Sequence, residues 1–148
     1  MKPPRQRPGG FLISKIHRSA GRIFARMLRE RGIEINPAQG RIIFVLWQSG
    51  SMPVTELARH TSLGKSTLTS MLDRLERAGQ VVRVRSREDR REIRVELTPK
   101  NQALQPLYEE VSRAMTTVFY RSFTAEEIAR FERDLERILN NLNHEEES

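Results

Sequence analysis

The chain of 148 residues has no cysteine. That absence excludes a disulfide framework, a thiolate zinc site, a cysteine nucleophile and a thiol redox sensor together. No apolar run approaches the roughly 20 residues that a membrane span requires, and the basic N-terminus leads into no signal-peptide core. A cytoplasmic protein without a membrane partner is the expectation. Histidine is scarce: His17, His60 and His144 stand alone, with no metal partner at i+3 or i+4. There is no glycine-rich phosphate loop, no nucleophile elbow and no carboxylate pair in an apolar setting. Neither an enzyme nor a cofactor or metal site is therefore expected. Lysine is rare too; of 26 basic residues only Lys2, Lys15, Lys65 and Lys100 are lysine. Arginine's forked donor suits phosphates and guanine edges, although GC-rich coding would also raise its frequency.

What is present is a basic balance, +7 overall with a pI near 10.7, unevenly spread. Residues 1–58 carry 10 basic and 3 acidic side chains, residues 59–100 carry 11 and 6, and residues 101–148 carry 5 and 10. A basic front and an acidic back point to an anionic polymer on one side and something else on the other.

Residues 1–10, with three prolines, two glycines and three cations, read as a disordered basic arm. A first helix is expected over about 11–31, with Ile13, Ile16, Ala20, Ile23 and Met27 on one stripe, ended by Gly32. Its second stripe, Lys15, Arg18, Arg22, Arg26 and Arg29, reads most simply as a solvated face. Asn36, Pro37 and Gln39 announce a second helix through a capping box, which carries Ile42, Ile43, Val45, Leu46 and Trp47 inward to Gly50. A short helix over about 54–60 and another over about 65–78 follow. Then Val82 and Val84 alternate with Arg83 and Arg85, and Ile93, Val95 and Leu97 with Arg94 and Glu96, predicting a two-stranded ribbon with a charged tip. Thr98-Pro99 opens a fifth helix carrying Leu104, Leu107, Val111, Ala114 and Val118. Thr124 and Glu127 cap a sixth, carrying Ile128, Phe131, Leu135, Ile138 and Leu142, before a loose acidic tail at 144–148.

The fold class is mostly α with a small two-stranded β-wing: a winged helix-turn-helix over about 37–98, flanked by helices at 11–31 and 99–143. On a wheel the fourth helix sets Leu68, Met71, Leu72 and Leu75 against Ser66, Thr69, Ser70, Asp73 and Arg77, with Arg74 on the flank. Small hydroxyl residues beside Lys65 let a helix backbone sit deep in a major groove; Thr67 lies in the same first turns. Five arginines at the ribbon tip, Arg85, Arg87, Arg90, Arg91 and Arg94, suit phosphates and the narrow negative minor groove. Asp89, two residues before Arg91, is placed to aim its guanidinium. The terminal helices each carry one seam, so they either bundle with one another or pair with a second chain.

The run from Arg83 to Thr98, with its Asp89-Arg90-Arg91 tip and Leu97-Thr98 close, resembles the wing signature of the MarR family of transcriptional regulators. The stretch from Leu63 to Gly79 resembles that family's recognition helix, with Gly64 where a capping Ser or Asp is commoner. The resemblance covers about 11–142. It implies a homodimer through the terminal helices, with Ile13, Ile16, Leu107, Val111, Val118, Phe131, Leu135, Ile138 and Leu142 as interface candidates. It implies a regulator, a repressor released by a small aromatic or anionic effector, that binds duplex DNA at a pseudo-palindromic operator. Lys65, Ser66, Thr67, Thr69 and Ser70 would face the major groove, Arg74, Arg77, Arg85 and Arg87 the phosphates, and Arg91 the minor groove with Asp89 holding it and Arg90 in reserve. The implied effector pocket draws on His17, Phe24, Arg41, Phe44 and Trp47, with Arg41 as carboxylate partner, although side chains such as Phe24, Phe44 and Trp47 are more often plain core. The family's peroxide-sensing branch is excluded for want of cysteine. The alternatives are a winged-helix protein–protein adaptor without specific DNA binding, and a ligand-binding or catalytic dimer with vestigial DNA contacts.

Overall fold

The computed structural model describes residues 6–148; half of the expected N-terminal arm, residues 1–5, lies outside them. The order is α1 (Gly9–Glu30), α2 (Pro37–Ser49), β1 (Met52–Pro53), α3 (Val54–Thr61), α4 (Lys65–Arg77), β2 (Val81–Arg85), β3 (Ile93–Leu97), α5 (Pro99–Phe119) and α6 (Ala125–Glu147). The chain forms two compact units, one ending at Ser112 and the other spanning Arg113–Ser148.

Local chemistry accounts for the boundaries. The Asn36 side chain accepts the Gln39 amide at 2.8 Å while Gln39 Oε1 accepts the Asn36 amide at 3.2 Å, which closes the capping box at the start of α2. Thr124 and Glu127 do the same for α6, at 3.2 and 2.9 Å; the backbone N–H of Thr124, foremost, holds the Glu127 carboxyl below its usual range. Gly50 and Gly79 take left-handed backbone at φ 77° and 75°, ending α2 and turning the chain out of α4 where a side chain would be strained.

Three boundaries differ from expectation. The sheet has three antiparallel strands in the order β1-β3-β2, with Met52 opposite Val95 and Pro53 opposite Arg94. The two-residue β1 is too short, and through Pro53 too irregular, to show an alternating pattern. The acidic tail is not loose: α6 continues to Glu147, and the Ser148 hydroxyl donates to the His144 carbonyl at 2.9 Å. No Gly or Pro interrupts Asn143–Ser148, so nothing forces the helix to stop. At the other end α1 begins two residues early, at Gly9, and the Leu12 amide donates to the Pro8 carbonyl at 2.8 Å.

The core of the first unit gathers Leu28 of α1, Ile42, Ile43 and Leu46 of α2, Leu57 of α3, Leu68, Leu72 and Leu75 of α4, Val81 and Val95 of the ribbon, and Tyr108 and Val111 of α5. Only the lower part of the α1 stripe takes part, through Phe24, Met27 and Leu28. Ile13 and Ile16 remain 44% and 42% exposed, with Phe11 and Leu12 beside them. In the second unit Tyr120 packs edge-on against Phe119, Phe123 and Phe131, and its hydroxyl donates to Glu132 at 3.1 Å. Ile138, Leu139 and Leu142 stay exposed on α6. Among the described residues no helix is long and apolar enough to cross a membrane.

Candidate nucleic-acid interface

Helix α4 separates into two faces as its periodicity requires. Leu68, Leu72 and Leu75 are buried, whereas Lys65, Ser66, Thr67, Thr69, Ser70, Arg74 and Arg77 are exposed. The Thr69 hydroxyl donates to the Lys65 carbonyl at 2.9 Å, leaving its oxygen lone pairs outward. Arg77 Nε donates to the Asp73 carbonyl at 3.3 Å.

Asp73 departs from the outward face to which the wheel assigned it. With Glu76 it holds Arg83 of β2: one guanidinium nitrogen lies 2.5 Å from Asp73 Oδ1 and 2.6 Å from Glu76 Oε2. Hydrogen bonds from Arg83 keep the Glu76 carboxyl below its ordinary range, and the same contacts, Glu76 first, raise the guanidinium. Arg83 is the main site residue that sequence reasoning missed. Its signal was there in the ribbon's period of two, which places it on the side of Val81, the side that packs inward.

The wing tip is a hydrogen-bonded turn. The Ser86 amide donates to the Glu92 carbonyl at 2.9 Å, and the Glu92 amide to the Asp89 carbonyl at 3.0 Å. The nearly buried Ser86 hydroxyl accepts the amides of Glu88 and Asp89 at 3.2 and 3.4 Å. Asp89 Oδ1 accepts the backbone N–H of Arg91 at 3.0 Å, and among the described residues the two side chains form no ion pair. The expectation that Asp89 aims the guanidinium is corrected: an acceptor two residues ahead meets the backbone amide first, as turn-forming Asp does. Asp89 therefore sets the backbone from which Arg91 projects.

The five tip arginines divide. Arg94 donates to the Ser51 carbonyl at 2.8 Å and pairs with Glu92 at 3.6 Å, tying β3 to the loop before β1. Arg85 lends one nitrogen to the Arg90 carbonyl at 3.3 Å and remains exposed, with its other donors turned to solvent. Arg87, Arg90 and Arg91 are exposed at the tip. Of the five carboxylates between Lys65 and Arg94, three (Asp73, Glu76 and Glu92) are tied to Arg83 or Arg94. A crease of about 370 Å³ runs between helix and wing, lined among others by Thr55, Lys65, Thr69, Arg83, Arg91 and Ile93.

The effector candidates do not assemble as one site. Phe24 and Trp47 meet edge-on across Tyr108, at centroid distances of 5.6 and 4.8 Å. Burial pushes the Tyr108 hydroxyl up to about 12. His17, Arg41 and Phe44 are exposed, and none lines the open pocket of about 520 Å³ beside Trp47, whose walls include Leu46, Ser51, Glu96, Gln102 and Gln105. Among the interface candidates Val111 is corrected: at 3% exposure within its own chain it has no surface left for a second one. Leu107, Val118, Phe131 and Leu135 are half-buried, and Ile13, Ile16, Ile138 and Leu142 are open. Among the described residues no cluster of three metal-ligating side chains occurs.

Comparison with known proteins agrees with this geometry. The family model described as MarR family matches residues 35–93. The chain is 30% identical over 134 residues to the uncharacterized HTH-type transcriptional regulator YsmB of Bacillus subtilis, spanning 85% of this chain and 90% of that one. It is 34% identical over 107 residues to the homoprotocatechuate degradative operon repressor of Escherichia coli, covering 68% of each. A crystal structure of a mutant MarR from E. coli complexed with operator DNA superposes with a TM-score of 0.81 at 27% identity, over 89% of this chain and 94% of that chain.

Proposed function

The chain belongs to the MarR family of winged-helix transcriptional regulators, and we propose that it acts as a homodimeric, non-enzymatic, cytoplasmic repressor that reads a pseudo-palindromic operator. The observation that carries the reading is the crease in which Lys65 and Thr69 of α4 and Arg91 of the wing face one another, while three neighbouring carboxylates are held by arginines. A surface so neutralised of acid, with cations left free at both edges, fits a polyanion wider than a peptide. Ser66, Thr67, Thr69 and Ser70, with Lys65, enter the major groove, where short side chains permit close approach to base edges. Arg74, Arg77, Arg85 and Arg87 hold phosphates, and Arg91, backed by Arg90, occupies the minor groove.

The related E. coli protein is named as repressor of a degradative operon, which supports repression as the default output here. Release by a small aromatic or anionic molecule is the matching input; the cluster of Phe24, Tyr108 and Trp47 is the place in the first unit where an aromatic guest would disturb packing. Dimerisation uses the apolar side chains that each unit leaves uncovered, Ile13 and Ile16 in one and Ile138 and Leu142 in the other. Two-fold pairing sets half-site centres about one helical turn, roughly 10 bp, apart.

The test is a binding titration against duplex DNA from immediately upstream of the protein's own gene, beside a scrambled duplex, at two salt concentrations. Preference of roughly 10³-fold for the upstream fragment is expected. Affinity should fall linearly with the logarithm of salt, in proportion to the phosphates contacted. No binding to either duplex at low salt would overturn the reading in favour of a protein–protein adaptor.

A further inference from the structure

The side chains on the operator face are carried by α4, and α4 is held unequally at its two ends. At its start Gly64 supplies no side-chain cap. At its exit, residues 78–80, three donors arrive from the first turn of α5 and the residue before it. The Thr98 hydroxyl donates to the Gly79 carbonyl at 2.5 Å, Lys100 Nζ to the Ala78 carbonyl at 2.9 Å, and Asn101 Nδ2 to Gln80 Oε1 at 2.8 Å. The Thr98 backbone amide adds a bond to the Gln80 carbonyl at 3.1 Å.

Asn101 is the centre of this set. It is 0% exposed, a rare setting for an amide. Its Oδ1 accepts the indole N–H of Trp47 at 2.9 Å, and its backbone amide donates to Thr98 Oγ1 at 3.2 Å. One side chain thus joins α2, α5 and the exit of α4, with both ends of its amide engaged. A buried amide left half-satisfied pays its full desolvation cost, so such a network resists intermediate arrangements and favours being wholly made or wholly broken.

We infer that Asn101 is a positioning residue for DNA recognition: through Gln80 and Trp47 it latches the recognition helix to α5 and α2, so that the seat of α5 sets where α4 presents its groove-facing side chains. The inference rests on the DNA-binding reading. Asn101, Gln80 and Trp47 touch no DNA in it; they act through the exit of α4.

Trp47 is the sole tryptophan, so its indole N–H resonance reports on the latch in the intact protein. Duplexes are first selected from a random-sequence pool with the wild-type chain; enrichment of none would remove the DNA reading itself. With a selected duplex in hand, adding it to the wild-type protein should shift the Trp47 indole N–H resonance. Asn101→Ala should weaken binding of that duplex by at least about fivefold, the low end of ordinary coupling between sites. The salt slope should stay unchanged, because no phosphate contact is removed. Gln80→Met, which cuts one link and keeps both the helix exit and the reporter, should do the same in milder form. Folded variants that bind the selected duplex as tightly as wild type overturn the latch. A Trp47 resonance indifferent to DNA in the wild-type protein overturns it without recourse to any variant.

Discussion

The two regions assigned to DNA in the proposed function, the recognition helix and the wing tip, have opposite supports. Three leucines of α4, Leu68, Leu72 and Leu75, are sunk in the core, so its outward side chains inherit the rigidity of the whole first unit. The tip from Ser86 to Glu92 buries almost nothing beyond Ser86 and is held by short-range hydrogen bonds within the turn. A helix backed by core presents a fixed face for base edges. A turn supported only by itself can settle into a minor groove of variable width at little cost to the fold. Stability and affinity should therefore separate cleanly between the two regions.

The largest effect is expected from Leu72→Ala, which opens a cavity beneath α4. It should cost about 2–5 kcal/mol of stability, read by chemical denaturation, and operator binding should fall with the folded fraction. Arg91→Ala, at the other extreme of burial, should weaken operator binding by about 1–3 kcal/mol in a titration and leave the denaturation midpoint unmoved. A shifted midpoint in that variant would break the comparison. Asp89 sharpens it. Asp89→Asn keeps an oxygen acceptor for the Arg91 amide and should bind nearly as wild type, whereas Asp89→Ala should approach Arg91→Ala in its loss of affinity. Equal damage from both would restore a direct carboxylate–guanidinium role.

The smallest effect concerns the joint between the two regions, Glu76 with Arg83. Glu76 has a folded pKa below its unfolded value, near 4.3, so its contribution is present above that value and is lost as pH falls through the folded pKa. Acid titration of wild type should show this loss below about pH 4, and Arg83→Met should flatten it. Both groups face solvent enough for added salt to reduce the effect.

How much of this was legible in the residue order depends on the range of the forces involved. The two faces of α4 and the two capping boxes could be read because helical periodicity and a three-residue reach decide them. The role of Asp89 could not, since an acceptor at that spacing reaches either a backbone amide or a guanidinium, and only the turn's conformation chooses. Arg85 and Arg94 looked as free as Arg87 until the Arg90 and Ser51 carbonyls appeared beside them; for Arg94 the partner is 43 residues away. Tyr108 carries no sequence signal that sets it apart from Leu107, yet it is the residue that packs on Phe24 and Trp47. Its hydroxyl also occupies the space above Gly40, where an added Cβ would lie 2.3 Å from it, so α2 must be bare there for α5 to seat.

The order β1-β3-β2 leaves β1 and β2 as the sheet's outer strands. Beyond bracing the wing, this arrangement bears on how the protein behaves when concentrated. The strand with the best-formed ladder, β3, is flanked on both sides. One outer strand is two residues long and contains Pro53, which has no amide hydrogen to offer. The other ends on the exposed Arg85, a charge that a second strand laid against it would have to bury. Strand-to-strand fusion of neighbouring molecules is thereby disfavoured at both borders.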